Sequence, residues 1–439
     1  MRVGVIGVGP VGLVTAACLA RWGHDVTAAD VDASRIGELR SGSVPFHEPR
    51  LSELVEEGVD AGRLRLTTDV EEALAHVDVA FVCVGTPQGT SGAADLQFVE
   101  AVGRAAAHHN DGDLLLVEKS TVPAATGDRL EKVIALEQEA VGRPSRVEVA
   151  SNPEFLREGQ AVLDTLSPDR IVLGVPSEWA GDQLRGVYAA VIAETDCPVI
   201  ETDRTTAELI KHASNAFLAT RLSFINAVAQ VCDRVGADVS QVAEGMGHDA
   251  RIGHAFLRAG IGYGGSCFPK DVDAFAHLAA SVGAPFPLLD EVRRINEGQR
   301  QYVLDLLADE LWHLSGKRIA LLGAAFKPDT DDLREAPAVW LAERLLAHGA
   351  EVRVSDPVAL PGLKEQLPDV TVLDEPLAAC QDAHAVVLCT EWPQHVAIEP
   401  EELATTLAWP IVIDGRNAWD PEEMRAAGLR YHGIGRGRR

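Results

Sequence analysis

The 439-residue chain carries 39 basic and 66 acidic residues, which gives a formal net charge of −27 at pH 7. This length is enough for two or three domains that each bury a core, and the negative charge argues against binding nucleic acid. No apolar run is long enough to span a bilayer, and the N-terminus enters a strand at once. We therefore expect a cytoplasmic protein with no signal peptide, membrane partner or nucleic-acid partner.

The seven cysteines are scattered along the chain without a C-x-x-C pair. This spacing predicts neither a disulfide framework nor a metal site. Lysine is scarce among the basic residues, yet Lys119, Lys211, Lys270 and Lys327 all lie inside the motifs described below. Their retention indicates positions where a planar guanidinium cannot replace a compact ammonium group.

The chain opens with an apolar strand, the pattern G-x-G-x-x-G at Gly7, Gly9 and Gly12, and a helical segment. This order is typical of a dinucleotide-binding unit. The next strand, 24–29, ends at Asp30, which we expect to accept hydrogen bonds from the adenine ribose. An acid there repels the phosphate of NADP, so the expected cofactor is NAD. Arg35 is either a ribose or phosphate contact or a solvated surface residue.

Further predicted strands, at 77–84, 114–118, 147–150 and 171–175, alternate with helices. The first three run into polar motifs at their carboxyl ends, the edge where ligands bind in open α/β sheets. Thr86 and Thr121 are therefore candidates for the cofactor and reaction site, with Glu154 and Glu158 close behind. Threonines at such positions also cap helices, and the sequence leaves this alternative open.

Residues 205–235 contain no proline or glycine, and their apolar residues recur at helical spacing. This predicts one helix about 45 Å long, which we expect to link two domains and to pack against a second copy in a homodimer. Lys211 and Asn215 stand four residues apart and share a face of this helix. They are candidates to donate hydrogen bonds to an oxyanion; a solvated lysine face is the alternative.

Cys267 follows a glycine run in the stretch G-Y-G-G-S-C-F-P-K-D and precedes a predicted helix at 271–280. The positive end of a helix dipole and the nearby Lys270 both favour a thiolate. Cys267 is thus a candidate nucleophile, and a buried core cysteine is the alternative.

After a predicted helix at 288–313, the stretch K-R-I-A-L-L-G-A-A-F-K-P begins a second α/β unit with further strands at 351–354, 385–390 and 411–414. Its glycine pattern is reduced to Gly323, which predicts a nucleotide that is not a dinucleotide. Lys327, Arg334 and Arg416 offer positive charge to its phosphates or, as the alternative, across the cleft to the first site. The last seven residues are expected to be disordered.

Nine motifs carry a resemblance that extends over essentially the whole chain. In order, they are G-V-G-P-V-G, V-G-T-P, K-S-T-V-P, N-P-E-F-L-R-E-G, K-H-A-S-N-A-F-L-A-T-R-L-S-F-I-N, G-H-D-A-R-I-G, G-Y-G-G-S-C-F-P-K-D, F-K-P-D-T-D-D-L-R and D-G-R-N. With these motifs the chain resembles the nucleotide-sugar 6-dehydrogenases. The resemblance implies an α/β fold of two doubly wound Rossmann-like domains joined by a long central helix. It divides the chain into an NAD-binding domain (1–203), a helical dimerisation and catalytic domain (204–314) and a UDP-sugar-binding domain (315–439).

The resemblance also implies the reaction, a four-electron oxidation of UDP-glucose to UDP-glucuronate by NAD through a cysteine thiohemiacetal and thioester. GDP-mannose and UDP-N-acetylmannosamine are the alternative substrates. Two rival classes remain: a two-electron dehydrogenase of the 6-phosphogluconate type and a non-catalytic NAD-sensing protein. Neither requires Cys267 together with a second doubly wound domain.

The resemblance assigns site residues position by position. The catalytic group is Cys267, Lys211, Asn215, Asp271, Thr121 and Glu154. The cofactor group is Gly7, Gly9, Val11, Gly12, Asp30, Arg35, Thr86, Thr121, Glu158, Lys270 and Arg334. The substrate group is Glu154, Phe155, Leu156, Arg157, Glu158, Lys211, Asn215, Arg251, Phe256, Leu257, Arg258, Ala259, Gly260, Gly264, Lys327 and Arg416. Among these, Arg251 resembles an arginine that reaches across a dimer interface.

Overall fold

A computed structural model describes residues 1–87, 89, 94–110, 112–142 and 145–437. The chain forms two compact units. The first unit is Met1–Ser214 with Asp273–Gly283, and the second unit is Asn215–Val272 with Ala284–Arg439. The predicted division at residues 203 and 314 is a different partition of the chain and stays a prediction.

The first unit contains an eight-stranded sheet. Its strands are β1 (Arg2–Ile6), β2 (Asp25–Ala29), β3 (Leu64–Thr67), β4 (Val79–Val82), β5 (Leu114–Glu118), β6 (Val147–Ser151), β7 (Ile171–Gly174) and β8 (Val199–Thr202). The helices between them are α1 (Pro10–Arg21), α2 (Ala33–Arg40), α3 (Leu51–Asp60), α4 (Val70–Leu74), α5 (Gln97–His109), α6 (Thr126–Val141), α7 (Ala161–Leu166) and α8 (Glu178–Thr195).

The order of this sheet is β3-β2-β1-β4-β5-β6-β7-β8. The strands pair in parallel except β6 and β7, which meet antiparallel at Ser151 and Gly174. Alternate strand residues pack into separate clusters: Leu115 lies in one and Leu116 in the other. Because successive side chains of a strand point to opposite faces, the two clusters are the cores on the two faces of a doubly wound sheet.

Four helices follow along the chain: α9 (Arg204–Val235), α10 (Val239–Gly247), α11 (Phe268–Ser281) and α12 (Pro287–Leu311). The predicted long helix is confirmed as α9, 32 residues in length, and it passes from the first unit into the second. Helix α11 begins three residues before its predicted start. Its early proline, Pro269, fits there because the first-turn N–H groups have no partner within a helix.

The second unit contains a six-stranded sheet in the order β11-β10-β9-β12-β13-β14. Its strands are β9 (Arg318–Leu322), β10 (Glu351–Ser355), β11 (Thr371–Val372), β12 (Ala385–Leu388), β13 (Ile411–Asp414) and β14 (Arg430–Gly433). The helices are α13 (Pro337–Ala347), α14 (Leu360–Gln366), α15 (Pro376–Cys380), α16 (Pro393–Val396), α17 (Pro400–Thr406) and α18 (Pro421–Ala426).

All pairings in this second sheet are parallel. Leu321 and Leu322 belong to different clusters, so this sheet too has a core on each face. The predicted fold class, two doubly wound sheets with a long central helix, is confirmed. Within the described ranges no helix is both long and apolar enough to cross a membrane.

The predicted disorder of the tail is wrong for residues 433–437; residues 438 and 439 lie outside the described ranges. Ile434 is fully buried, the amide of Gly435 donates to Asp233 Oδ2 at 3.1 Å, and Arg436 Nη1 donates to the Trp419 carbonyl at 2.7 Å. Contacts with distant residues order this segment although its composition alone favours disorder.

Candidate active site

The glycine turn after β1 leaves room for a ligand at one position. Gly7 has φ +94°, and a Cβ there would lie 2.7 Å from the Cys83 carbonyl oxygen; a Cβ on Gly12 would lie 1.8 Å from the Gly7 oxygen. A Cβ on Gly9 would meet nothing within 4 Å. Tight packing at the outer glycines with open space at the middle one is the arrangement that admits a pyrophosphate at a helix N-terminus, so this turn at the start of α1 fits NAD.

Asp30, at the end of β2, already has three hydrogen-bond partners. Its carboxylate accepts from the amides of Val8 at 2.9 Å and Asp32 at 3.0 Å, and from Arg35 Nη1 at 3.0 Å. Arg35 is thus positioned by Asp30, while Val11 packs partly buried against the core. The acid holds the glycine turn in place, and its contact with ribose remains a prediction.

Thr86 and Thr121 lie on polar segments that follow neighbouring strands β4 and β5. Thr86 Oγ1 donates to the Thr121 carbonyl at 3.0 Å, so the two segments are tied together at the carboxyl edge of the sheet. The helix-capping alternative is wrong for both threonines, because the N-caps of α5 and α6 are Leu96 and Ala125.

Lys211, on α9, forms a buried ion pair with Glu154. The Nζ–Oε1 distance is 2.8 Å, and the side chains are only 4% and 5% exposed. The other oxygen of Glu154 accepts from the amide of Leu156 at 2.9 Å, and Lys211 Nζ also lies 5.5 Å from the centre of the Phe155 ring. The solvated-lysine alternative is therefore wrong, since a buried charge needs a partner such as this.

Asn215 lies one helical turn after Lys211 on α9 and is also buried. Its Nδ2 donates to Asp271 Oδ2 at 2.6 Å. Lys270 Nζ lies 3.0 Å from the other oxygen of Asp271, a carboxylate that is 1% exposed. An amide donor and an ammonium group thus fix the orientation of the Asp271 carboxylate.

Cys267 lies at the N-terminus of α11, where its carbonyl accepts the amide of Asp271 at 2.9 Å. Its Sγ lies 3.5 Å from Ser266 Oγ. The glycines before it are required by packing: a Cβ on Gly264 would lie 2.3 Å from the Glu335 carbonyl oxygen, and Gly265 has φ +81°. The local sequence therefore lets the chain pass close to its neighbours just before the thiol.

All seven cysteines lie in the described part of the chain, and Cys267 alone is not buried. Burial raises the pKa of Cys83 and Cys389 to about 12, which keeps them as unreactive thiols at neutral pH. Cys267 is therefore the accessible thiol of this protein.

The other residues of the segment 154–158 pack within the first unit. Arg170 stacks on the Phe155 ring at 3.8 Å, and Arg157 pairs with Asp164 at 2.6 Å. Leu156 and Glu158 are partly buried. The arginine of this segment is thus held by a carboxylate of its own unit.

The loop 256–260 alternates in burial. Leu257 and Ala259 are buried and Arg258 is exposed, while Phe256 has φ +60°. The amide of Gly260 donates to Asn226 Oδ1 at 2.9 Å. This loop presents Arg258 to solvent from a backbone that is anchored at its end.

The four predicted basic contacts of the second unit differ in their surroundings. Arg416 donates to the carbonyls of three segments, at Cys389, Gly262 and Phe326. Lys327 Nζ lies 5.5 Å from the Phe326 ring centre. Two further arginines are largely exposed and pair with nearby aspartates: Arg334 with Asp332 and Arg251 with Asp249. Arg416 thus binds backbone segments together, and the ligand contacts predicted for all four remain predictions.

Sequence reasoning did not single out two buried polar groups beside these motifs. Asn152 accepts from Lys119 Nζ at 3.0 Å and donates to the Val172 carbonyl at 2.8 Å. Glu208, one turn before Lys211, accepts from the amides of Ala125 and Gly127. The available signal was a polar residue in an apolar run, but the partners of Glu208 lie more than 80 residues away.

Two doubly wound sheets, one of them with a glycine turn that admits a pyrophosphate, are typical of a nucleotide-binding protein, and comparison with known proteins shows that this protein is a dehydrogenase. Three domains of the UDP-glucose/GDP-mannose dehydrogenase family match the chain: the NAD binding domain at residues 1–192, the central domain at 205–298 and the UDP binding domain at 320–421. The chain belongs to this family and is an NAD-dependent dehydrogenase.

Individual relatives cover nearly the whole chain. UDP-glucose 6-dehydrogenase TuaD of Bacillus subtilis is 44% identical over 440 residues, which span 99% of this chain and 93% of the relative. A UDP-glucose dehydrogenase structure from Pyrobaculum islandicum is 39% identical with a TM-score of 0.91, and covers 99% and 97% of the two chains. A UDP-D-ManNAc dehydrogenase structure from Pyrococcus horikoshii is 28% identical with a TM-score of 0.87, and covers 99% of each.

Proposed function

We propose that this protein oxidises UDP-glucose to UDP-glucuronate, with release of two NADH per sugar. The observation that carries the proposal is Cys267, the accessible thiol at the start of α11, in a chain whose relative of 44% identity is a UDP-glucose 6-dehydrogenase. Two NAD molecules, bound one after the other at the N-terminal site, would each accept one hydride. Gly7, Gly9 and Gly12 supply the turn that holds each of them.

The thiolate of Cys267 adds to the C6 aldehyde produced by the first oxidation, and a carbon–sulfur bond forms. Loss of a second hydride from C6 of this thiohemiacetal leaves a thioester. Water then attacks the thioester, the carbon–sulfur bond breaks, and the acid and the free thiolate are released. Covalent capture divides a difficult oxidation into easier steps and retains the aldehyde.

The buried polar residues match the remaining tasks. Lys211 and Asn215 would donate hydrogen bonds to the oxyanion. Asp271 would act with a water as the general base, for which its contacts with Asn215 and Lys270 fix its orientation. Thr121 and Glu154 would help to hold that water.

Two expectations about organisation belong to the same proposal. The three family domains support a division at residues 203 and 314. Phe217, Phe224 and Val231 are exposed on α9 at intervals of seven residues, and residues seven apart lie on one side of a helix. This apolar row supports a homodimer that packs through α9.

The test is to count NADH released per nucleotide sugar. We expect two NADH with UDP-glucose, no free aldehyde, and little turnover of GDP-mannose or UDP-N-acetylmannosamine. Cys267→Ala should stop acid formation while NAD binding persists, and the buried Cys197→Ala control should keep the stoichiometry of two. Two NADH per sugar from Cys267→Ala at the wild-type rate would refute the thioester route; efficient use of another sugar would refute the substrate assignment.

A further inference from the structure

A cluster of two imidazoles and a carboxylate lies on the surface of the second unit, and none of its three residues has a role in the reaction proposed above. Glu244 and His248 occupy the last turn and C-cap of α10, and His254 follows six residues later. His248 Nε2 lies 2.9 Å from Glu244 Oε1, and His254 Nδ1 lies 3.5 Å from Glu244 Oε2. One ligand atom from each residue lies within 4.8 Å of the others.

We propose that Glu244, His248 and His254 form a binding site for a divalent transition-metal ion, Zn²⁺ above all. Imidazole nitrogens and a carboxylate oxygen are ordinary zinc ligands, and metal bonds of about 2.0–2.1 Å place tetrahedral ligand atoms about 3.4 Å apart. The two histidine nitrogens lie 2.9 and 3.5 Å from different oxygens of Glu244, so small rotations of these exposed side chains would bring one ligand atom from each residue to this spacing. Three protein ligands leave the fourth position to water.

The backbone brings these three residues together before any metal binds. Glu244 and His248 stand four apart, so their side chains share one helix face. The loop that brings His254 back to them is held by Arg221, whose two terminal nitrogens donate to the carbonyls of Ile252 and Gly253, each at 2.7 Å. Gly253 itself has φ +70°.

Gly247, the last residue of α10, also fits this arrangement. A Cβ at this position would lie 2.1 Å from His254 Nδ1 and 2.6 Å from its Cε1. A side chain at 247 would therefore force the His254 ring away from its place across the helix terminus. Asp249, which follows His248, is occupied by Arg251 at 2.6 Å and does not complete the site.

The alternative is two ordinary surface contacts between the histidines and Glu244, which contribute little to stability. Such contacts do not require a glycine at 247 or three ligand atoms within 4.8 Å of one another. A bound ion would cross-link the end of α10 to the chain just ahead of the loop 256–260.

The experiment titrates ZnCl₂ into the full-length chain, stripped of metals by a chelator, in an isothermal calorimeter. We expect one Zn²⁺ per chain at this site and at least a tenfold loss of affinity in His254→Ala, because even outer partners of metal ligands cost about 10–100-fold. Gly247→Ala should have a similar effect without changing any ligand. Gly245→Ala is its matched control, since a Cβ there meets nothing within 4 Å, and should bind as wild type does.

Cys267 is another possible zinc ligand, so the titration is repeated in Cys267→Ala, which should retain the site. Co²⁺ should give visible d–d absorption without a thiolate charge-transfer band. Should Gly247→Ala misfold, as judged by circular dichroism, His254→Gln and His248→Ala serve in its place. Absence of Zn²⁺ binding in Cys267→Ala, or equal binding by that protein with and without His254→Ala, would overturn the proposal.

Discussion

Two carboxyl groups, Glu118 at the end of β5 and Glu208 on α9, converge on Gly127 at the start of α6. A Cβ on Gly127 would lie 3.0 Å from Glu118 Oε2 and 3.4 Å from Glu208 Oε1. Burial raises the pKa of Glu208 from 4.5 to about 7, although the amides of Gly127 and Ala125 oppose the shift. Burial, followed by the charge of Glu208, raises the pKa of Glu118 well above its ordinary value.

The sign of the effect on stability follows from proton binding. Between pH 4.5 and about 7 the folded chain keeps the Glu208 proton that the unfolded chain has lost. The unfolded state binds fewer protons in this range, so stability falls as the pH rises. One pKa unit corresponds to about 1.36 kcal/mol. Glu208 alone should therefore lower the free energy of unfolding by about 3 kcal/mol as the pH rises from the lower to the upper of these values.

We therefore predict that Glu208→Gln flattens the decline in unfolding free energy between about pH 5 and pH 7 by up to about 3 kcal/mol. Glutamine keeps only one of the two oxygens that accept backbone amides. This loss changes the free energy of unfolding by an amount that does not depend on pH, so it does not affect the slope of that free energy against pH. Urea denaturation followed by circular dichroism measures the slope. The control Glu139→Gln replaces an exposed carboxylate on α6 and should keep the wild-type slope. Equal slopes in Glu208→Gln and wild type would refute the reasoning.

Three further predictions concern the proposed reaction and assembly. Because Asp30 should accept from a hydroxyl that NADP carries phosphorylated, kcat/KM should favour NAD by at least about tenfold, or ~1.4 kcal/mol; equal use of both cofactors in a spectrophotometric assay would exclude that role. Cys267→Ser should accumulate a slowly hydrolysed oxyester, visible as a uronyl-nucleotide adduct in the intact-protein mass, and no adduct during turnover would count against it. Phe224→Glu should turn a dimer into monomers in sedimentation velocity, whereas unchanged dimers would exclude the α9 row as the interface.

Local patterns were sufficient to predict much of the fold. The buried run of β5 was predicted with its observed bounds, and α9 was predicted within one residue at its start. The direction of β7 against β6 was not predictable, because an apolar run specifies a buried strand but not which way it runs. The same holds for Ile434, whose burial depends on contacts from residues far away in the chain.

The candidate site shows the same limit at the level of side chains. The selection of Lys211 and Cys267 as candidates followed from residue type and spacing. The contacts of Arg416 did not, because its three carbonyl partners come from segments that the sequence does not connect. An arginine beside a nucleotide motif can bind phosphate, join backbone segments or do both, and its backbone contacts are visible only in the fold.

Asp30 follows β2 and Asp356 follows β10. A comparison of these two acids shows why one motif residue can have two functions. Asp356 accepts from the amides of Ala324 and Ala325, just as Asp30 accepts from Val8, so each acid holds the turn after the first strand of its sheet. In the second unit Trp392 Nε1 also donates to Asp356, at 3.0 Å, so a buried indole already uses this carboxylate as its acceptor. In the first unit the third donor is the side chain of Arg35, which is 37% exposed. We therefore expect a ribose hydroxyl to compete for Asp30 more readily than for Asp356, and this difference is a physical reason to expect the dinucleotide in the first unit.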